Sequence, residues 1–127
     1  MANQTQARAD LDRLLAYGAT VAVYDSAGQT LLPEWPAGLV LWGRGGRRIA
    51  YIQAFGERPH AHTVERVERG EDEVVVWVTE GSGAHQARYR MVFRPAALPN
   101  ERRVVEAWAN LMRHQRQDYE QDLRELL

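Results

Sequence analysis

The chain has 127 residues, 45 % of them hydrophobic, with 16 basic and 17 acidic side chains and a formal net charge of −1. That suits one domain with one core, and it excludes a global field strong enough to gather nucleic acid or anionic lipid. Cysteine is absent, which excludes disulfides, thiolate chemistry and sulfur-ligated zinc.

All the basic residues are arginine, so positive charge comes only as planar guanidiniums that stack and pair in forks. Met1 to Asp10 holds no apolar run of the signal-peptide kind, and no segment reaches the length of a membrane span. The expected setting is therefore cytoplasmic.

Asn3 to Tyr17 is predicted as a first helix, with Ala7, Leu11, Leu14 and Leu15 on one face and Arg8, Asp12 and Arg13 off it. Gly18 follows as a stop, because glycine accepts positive φ after a last turn. Val21–Tyr24 and Thr30–Leu32 read as short strands around the turn Asp25–Gly28, where aspartate can bond locally. Pro33 and Pro36 limit ladder pairing, so an edge strand or a loop is expected around Trp35.

Leu39–Trp42 is the next strand, then the glycine-rich turn Gly43–Gly46, then an extended run from Ile49 to Phe55. Thr63–Glu68 is expected to pair with Val74–Thr79 across Arg69–Asp72. Val74–Val78 is apolar on both sides and reads as a central strand. In Ala87–Arg94, Ala87, Tyr89, Met91 and Phe93 alternate with Arg88, Arg90, Val92 and Arg94, the pattern of a strand buried on one face only.

From Glu101 the period becomes helical. Val104, Trp108, Leu111, Tyr119 and Leu126 trace one stripe, widened by Val105, Met112 and Leu123 and interrupted by Gln115. A helix from Glu101 to Leu127 would span about 40 Å at 1.5 Å per residue, long enough to overhang a small sheet and meet a second copy. The expected architecture is one α+β domain over residues 1–127: an N-terminal helix, a curved antiparallel meander of about five to seven strands, and a long C-terminal helix packed on the apolar face.

Chemistry-bearing motifs are sparse. His60 and His62, two apart in an extended chain, would face the same side as a facial metal site needs. The pair resembles the metal-binding HxH segment of cupins, but Glu65 follows His62 by only three residues, closer than in that family. The following Pro-x-Gly segment is missing too, so surface or loop histidines are the simpler expectation. Gly81-Ser82-Gly83 lacks the G-x-S-x-G spacing of a nucleophile elbow. Gly43–Arg48 leads into a strand rather than the helix a phosphate loop needs.

Arg88, Arg90 and Arg94, extended by Arg47, form a basic sheet face that could contact single-stranded nucleic acid. Glu65, Glu68 and Glu80 in the same region offer cross-strand partners instead, and nucleic acid is not the expected ligand. Trp42, Tyr51, Tyr89 and Trp35 are the candidates for an aromatic-lined pocket between sheet and helix.

Leu11–Leu32 resembles the opening of profilin-like sensory and roadblock-type domains, although Pro33–Gly38 is too short for the helix those folds place between strands. That resemblance implies no function. The leading expectation is a non-catalytic binding or protein-interaction domain, homodimeric through its C-terminal helix and without a cofactor. A small-molecule enzyme or ligand-binding protein is the alternative, and a weak nucleic-acid binder the next.

Overall fold

The computed structural model describes residues 4–37, 40–51, 60–81, 84, 86–96, 103, 106–107 and 120–127. Helix α1 (Gln4–Tyr17) leads into β1 (Ala19–Asp25), β2 (Thr30–Pro36), β3 (Val40–Trp42), β4 (Arg48–Tyr51), β5 (His60–Arg69), β6 (Val74–Glu80) and β7 (Ala87–Pro95). Residues 103, 106–107 and 120–126 are helical as well. The class is α+β: an N-terminal helix, an antiparallel sheet of seven strands, and a C-terminal helix packed on that sheet.

The strand order is β2-β1-β7-β6-β5-β4-β3. From β3 to β7 the chain meanders, and β7 then returns to β1, pairing Phe93 with Val21 and Tyr89 with Asp25. Strands β2 and β3 are the two edges of the sheet, yet only four residue steps separate Pro36 from Val40. Four residues reach at most about 14 Å, whereas six inter-strand steps in a flat sheet would hold the edges roughly 29 Å apart. The sheet must therefore curl until its edges approach, into an incomplete barrel.

Residues from both edges and the centre meet inside that curl. Val21, Val23, Ile49, Tyr51, Val67, Val76, Val78, Met91 and Phe93 form one buried cluster with Ala7 and Leu11 of α1, and Leu32, Val40 and Trp42 pack against it. Alternation in β7 delivers this as expected: Met91 and Phe93 are fully buried, while Arg88 and Arg94 are exposed. Strand β6 occupies the middle of the seven, and Val74, Val75, Val76 and Val78 are all buried. Its apolar character on both sides thus reflects cover on both faces.

The second face has its own smaller apolar patch. Ala50 pairs with Leu41 on one side and Ala61 on the other, and the buried Leu123 of the C-terminal helix packs there with Leu127. Helix α1 covers the larger, concave apolar surface, contacting β5, β7, β1 and β6.

Local signals explain the joints. Gly18 takes φ +104° and its N–H reaches Leu14 O at 3.1 Å, closing α1. Asp25 Oδ1 accepts the N–H groups of Ala27 (2.9 Å) and Gln29 (2.8 Å), which fixes the β1–β2 turn. The two prolines of β2 sit on an edge strand, where missing donors cost least, and its pairing with β1 is broken by bulges. The predicted extension from Ile52 to Phe55 and the helical stripe from Val104 to Tyr119 lie outside the described residues, apart from Glu106 and Ala107.

Candidate functional site

Cross-strand register builds the most chemically distinctive spot in the curl. Tyr51 pairs with His60 and Ile49 with His62, so both histidines face the concave side with Tyr51 and Ile49. Tyr89 joins through β6, opposite Val78, which itself pairs with Val64. Ring centroids stand 5.4 Å apart for Tyr51–His60, 5.7 Å for Tyr51–His62 and 5.9 Å for His62–Tyr89.

His62 is buried, with 8 % of its surface exposed, and Tyr51 is buried beside it. The Tyr51 hydroxyl and His62 Nε2 share a hydrogen bond of 3.1 Å. His62 Nδ1 is buried and, among the described residues, has no hydrogen-bond partner. Burial holds the imidazole pKa below its ordinary value, with the Glu80 charge pulling the other way and His60 and Arg48 adding to the depression. At neutral pH the ring is therefore uncharged, with one nitrogen fixed by Tyr51 and one unsatisfied. Buried polar atoms are nearly always paired, so this nitrogen, like the buried indole Nε1 of Trp77 on the other face, stands out among the described residues as a polar group without an internal acceptor or donor.

The other pocket candidates are dispersed. Trp42 turns toward α1, its Nε1–H donating to Asp12 Oδ1 at 3.1 Å, with the Arg8 guanidinium 6.0 Å from the ring centre. Trp35 lies on the edge strand β2 and is 51 % exposed. Only Tyr51 and Tyr89 of the four converge. His60 and His62 share a face, and among the described residues no group of three or more metal-ligating side chains forms.

Arg88, Arg90 and Arg94 do share the convex face, with Arg66 beside them, while Arg47 lies in the connection before β4. Their charges are largely answered within the chain. Arg94 pairs with Glu34, whose Oε1 also accepts from Thr20 Oγ1 at 2.9 Å, Arg88 pairs with Glu65 at 3.4 Å, and Arg66 with Glu68 at 3.0 Å. Arg90 lies 4.9 Å from the Tyr24 ring centre and 5.9 Å from that of Trp77, with Arg66 4.7 Å from Trp77. Such stacks hold guanidiniums against rings. The Glu34 carboxyl is held below the ordinary range by the Arg94 hydrogen bond; partial burial opposes this and Thr20 assists.

A second site escapes motif reading. Asp10 of α1 is buried and accepts from Gln6 Nε2 at 3.1 Å, from Arg13 Nη2, and from Arg69 Nη1 at 3.2 Å. Desolvation works to raise its pKa, but the hydrogen bonds from Gln6 and Arg13 and the charges of Arg69 and Arg13 outweigh it, leaving a net depression. The available signal is an acid set among Ala7, Leu11 and Leu14, on the stripe that packs against the sheet.

No described helix is long and apolar enough to cross a membrane. No protein-family model matches the chain, and no curated protein or solved structure shows significant similarity to it.

Proposed function

We propose that this chain is a small, non-catalytic binding domain that holds an uncharged ligand at the Tyr51–His62–Tyr89 wall of its curled sheet. The carrying observation is the buried Nδ1 of His62, which has no partner among the described residues, on a ring whose other nitrogen is already fixed by Tyr51. Tyr51 and Tyr89 flank the imidazole and supply apolar contact, and the neutral imidazole supplies one directional hydrogen bond. Among the described residues no carboxylate is hydrogen-bonded to His62 to orient it as a general base, which favours recognition over catalysis.

The domain works in the cytoplasm as a homodimer. Supporting this are a net charge close to zero and the apolar Leu126, 41 % exposed at the end of the C-terminal helix. Native mass spectrometry of gently purified protein beside its His62→Phe variant tests both statements. A small-molecule mass retained by the dimeric wild type and lost from the variant supports them. A bare monomer that also fails to bind neutral aromatic fragments contradicts them.

A further inference from the structure

Helix α1, the β5–β6 turn and the end of β7 enclose an open cleft of about 340 Å³, lined by Asp10, Arg13 and Leu14 on one side and by Arg69 to Val74 and Pro95 on the other. Its volume is that of a small-ligand site. The cleft is separate from His62: it lies where β5 ends and β6 begins, whereas His62 stands near the start of β5.

Asp10 sits at the buried base and organises the charges above it. Its two oxygens take Arg13 Nη2 and Arg69 Nη1, so both guanidiniums are held in place by one carboxylate. The arginine side chains remain 64 % and 68 % exposed, and each guanidinium keeps further N–H donors for another acceptor. One buried negative charge against two positive ones leaves the arginine pair an excess of one.

The turn supplies the opposite sign at the same opening. Glu71 and Asp72 are exposed, and Glu73 folds over Gly70, where a Cβ would come within 2.8 Å of the Glu73 side chain. The N–H of Gly70 bonds Glu73 O at 2.8 Å, so the turn is closed, and its three carboxylates line the same cleft as the arginines. Leu14, Val74 and Pro95 add apolar lining. With Asp10 included, the opening carries two positive and four negative side chains, a net charge of −2, so a plain anion is disfavoured, while a plain cation would gain the turn carboxylates but leave the outward N–H groups of the two guanidiniums without an acceptor. A molecule bearing both charges on a short apolar spacer satisfies all three surfaces.

We infer that the cleft binds a small zwitterion of amino-acid or dipeptide size, its carboxylate on Arg13 and Arg69 and its ammonium toward Glu71 and Asp72. This holds whether or not a ligand occupies the His62 site.

The test uses three probes with one spacer: 6-aminohexanoate, hexanoate and hexylamine. Each is titrated into the full chain and followed by two-dimensional NMR of the backbone amides. The expected result is saturable binding of 6-aminohexanoate that moves the Gly70–Glu73 amides, with hexanoate and hexylamine each at least tenfold weaker. Arg69→Gln should weaken 6-aminohexanoate at least tenfold. Glu71→Gln combined with Asp72→Asn, confined to exposed turn positions, should weaken it with no change in thermal stability. The inference is overturned if hexanoate or hexylamine binds as well as the zwitterion, if the turn variant binds like wild type, or if none of the probes moves the turn amides at 10-millimolar concentration, on the order of the weakest useful affinity.

Discussion

Tyr51→Phe removes one oxygen and leaves the ring stack in place, so it takes away the hydrogen bond to His62. In the wild type that bond satisfies Nε2, while Nδ1 has no partner among the described residues. Without the hydroxyl both ring nitrogens of a buried imidazole are orphaned. Leaving one buried polar group unsatisfied costs about 1–3 kcal/mol. Unfolding entropy of about 2.1 cal/mol/K per residue over this chain gives roughly 270 cal/mol/K, so each kcal/mol moves Tm by about 4 °C. The expected fall is about 4–11 °C.

His62→Phe alone leaves the Tyr51 hydroxyl without this partner and should also destabilise. The double variant replaces both partners with apolar rings, a change that can be nearly neutral. The four proteins form a thermodynamic cycle, read by circular dichroism during thermal and urea unfolding. The double variant should be at least about 1 kcal/mol more stable than the sum of the single losses requires. A Tyr51→Phe protein within about 0.5 kcal/mol of wild type, or strict additivity in the cycle, would refute the reasoning.

Further expectations follow from the same geometry. Because burial sets the His62 pKa below 6.5, between that lower value and 6.5 the unfolded chain binds a proton that the folded chain refuses. Stability therefore declines as pH falls from 6.5 toward the folded value, and urea midpoints should show this decline in wild type and a shallower one in His62→Phe. Glu34 carries a depressed pKa and lies in a partly exposed network, so Glu34→Gln should cost no more than about 1 kcal/mol at neutral pH. That difference should shrink below the ordinary carboxyl range, and a pH-independent difference in urea midpoints would count against the ion pair. Leu123 has no exposed surface and anchors the C-terminal helix on Ala50; Leu123→Ala should cost about 2–5 kcal/mol in urea unfolding, and a silent substitution would mean that the helix contributes nothing to the fold. Gly46 holds φ +70° with the Arg8 guanidinium against it, so Gly46→Ala should cost at least about 1–2 kcal/mol from backbone strain alone, measured the same way.

Much of the scaffold is written in local pattern. Alternation in Ala87–Arg94, the unbroken apolar run Val74–Val78 and the glycine at the end of α1 each encode a short-range preference, and each corresponds to its element. The curl is not local: it follows from β7 returning to β1, which leaves β2 and β3 as edges joined by a short connection. The same limit applies to the candidate site. The spacing of His60 and His62 places them on one face, but their meeting with Tyr51 depends on the β4–β5 register, and Tyr89 reaches them only across β6. Residue type alone groups Trp42 and Trp35 with the tyrosines. Register does keep Trp42 on the concave face opposite Ile49, but its indole N–H goes to Asp12 of α1, and edge position leaves Trp35 exposed on β2. Asp10 is legible only as an acid on a packed stripe, and its two arginine partners lie on α1 and on β5.

The most direct test of the binding account is a long-range ¹H–¹⁵N NMR spectrum of the histidine side chains, recorded before and after titration with phenol. A hydroxyl both donates and accepts, so it suits Nδ1 in either ring tautomer. Binding at this wall gives a saturable shift of the His62 Nδ1 resonance, with the Tyr51-bonded Nε2 moving less. An Nδ1 resonance unchanged at saturating phenol would contradict it.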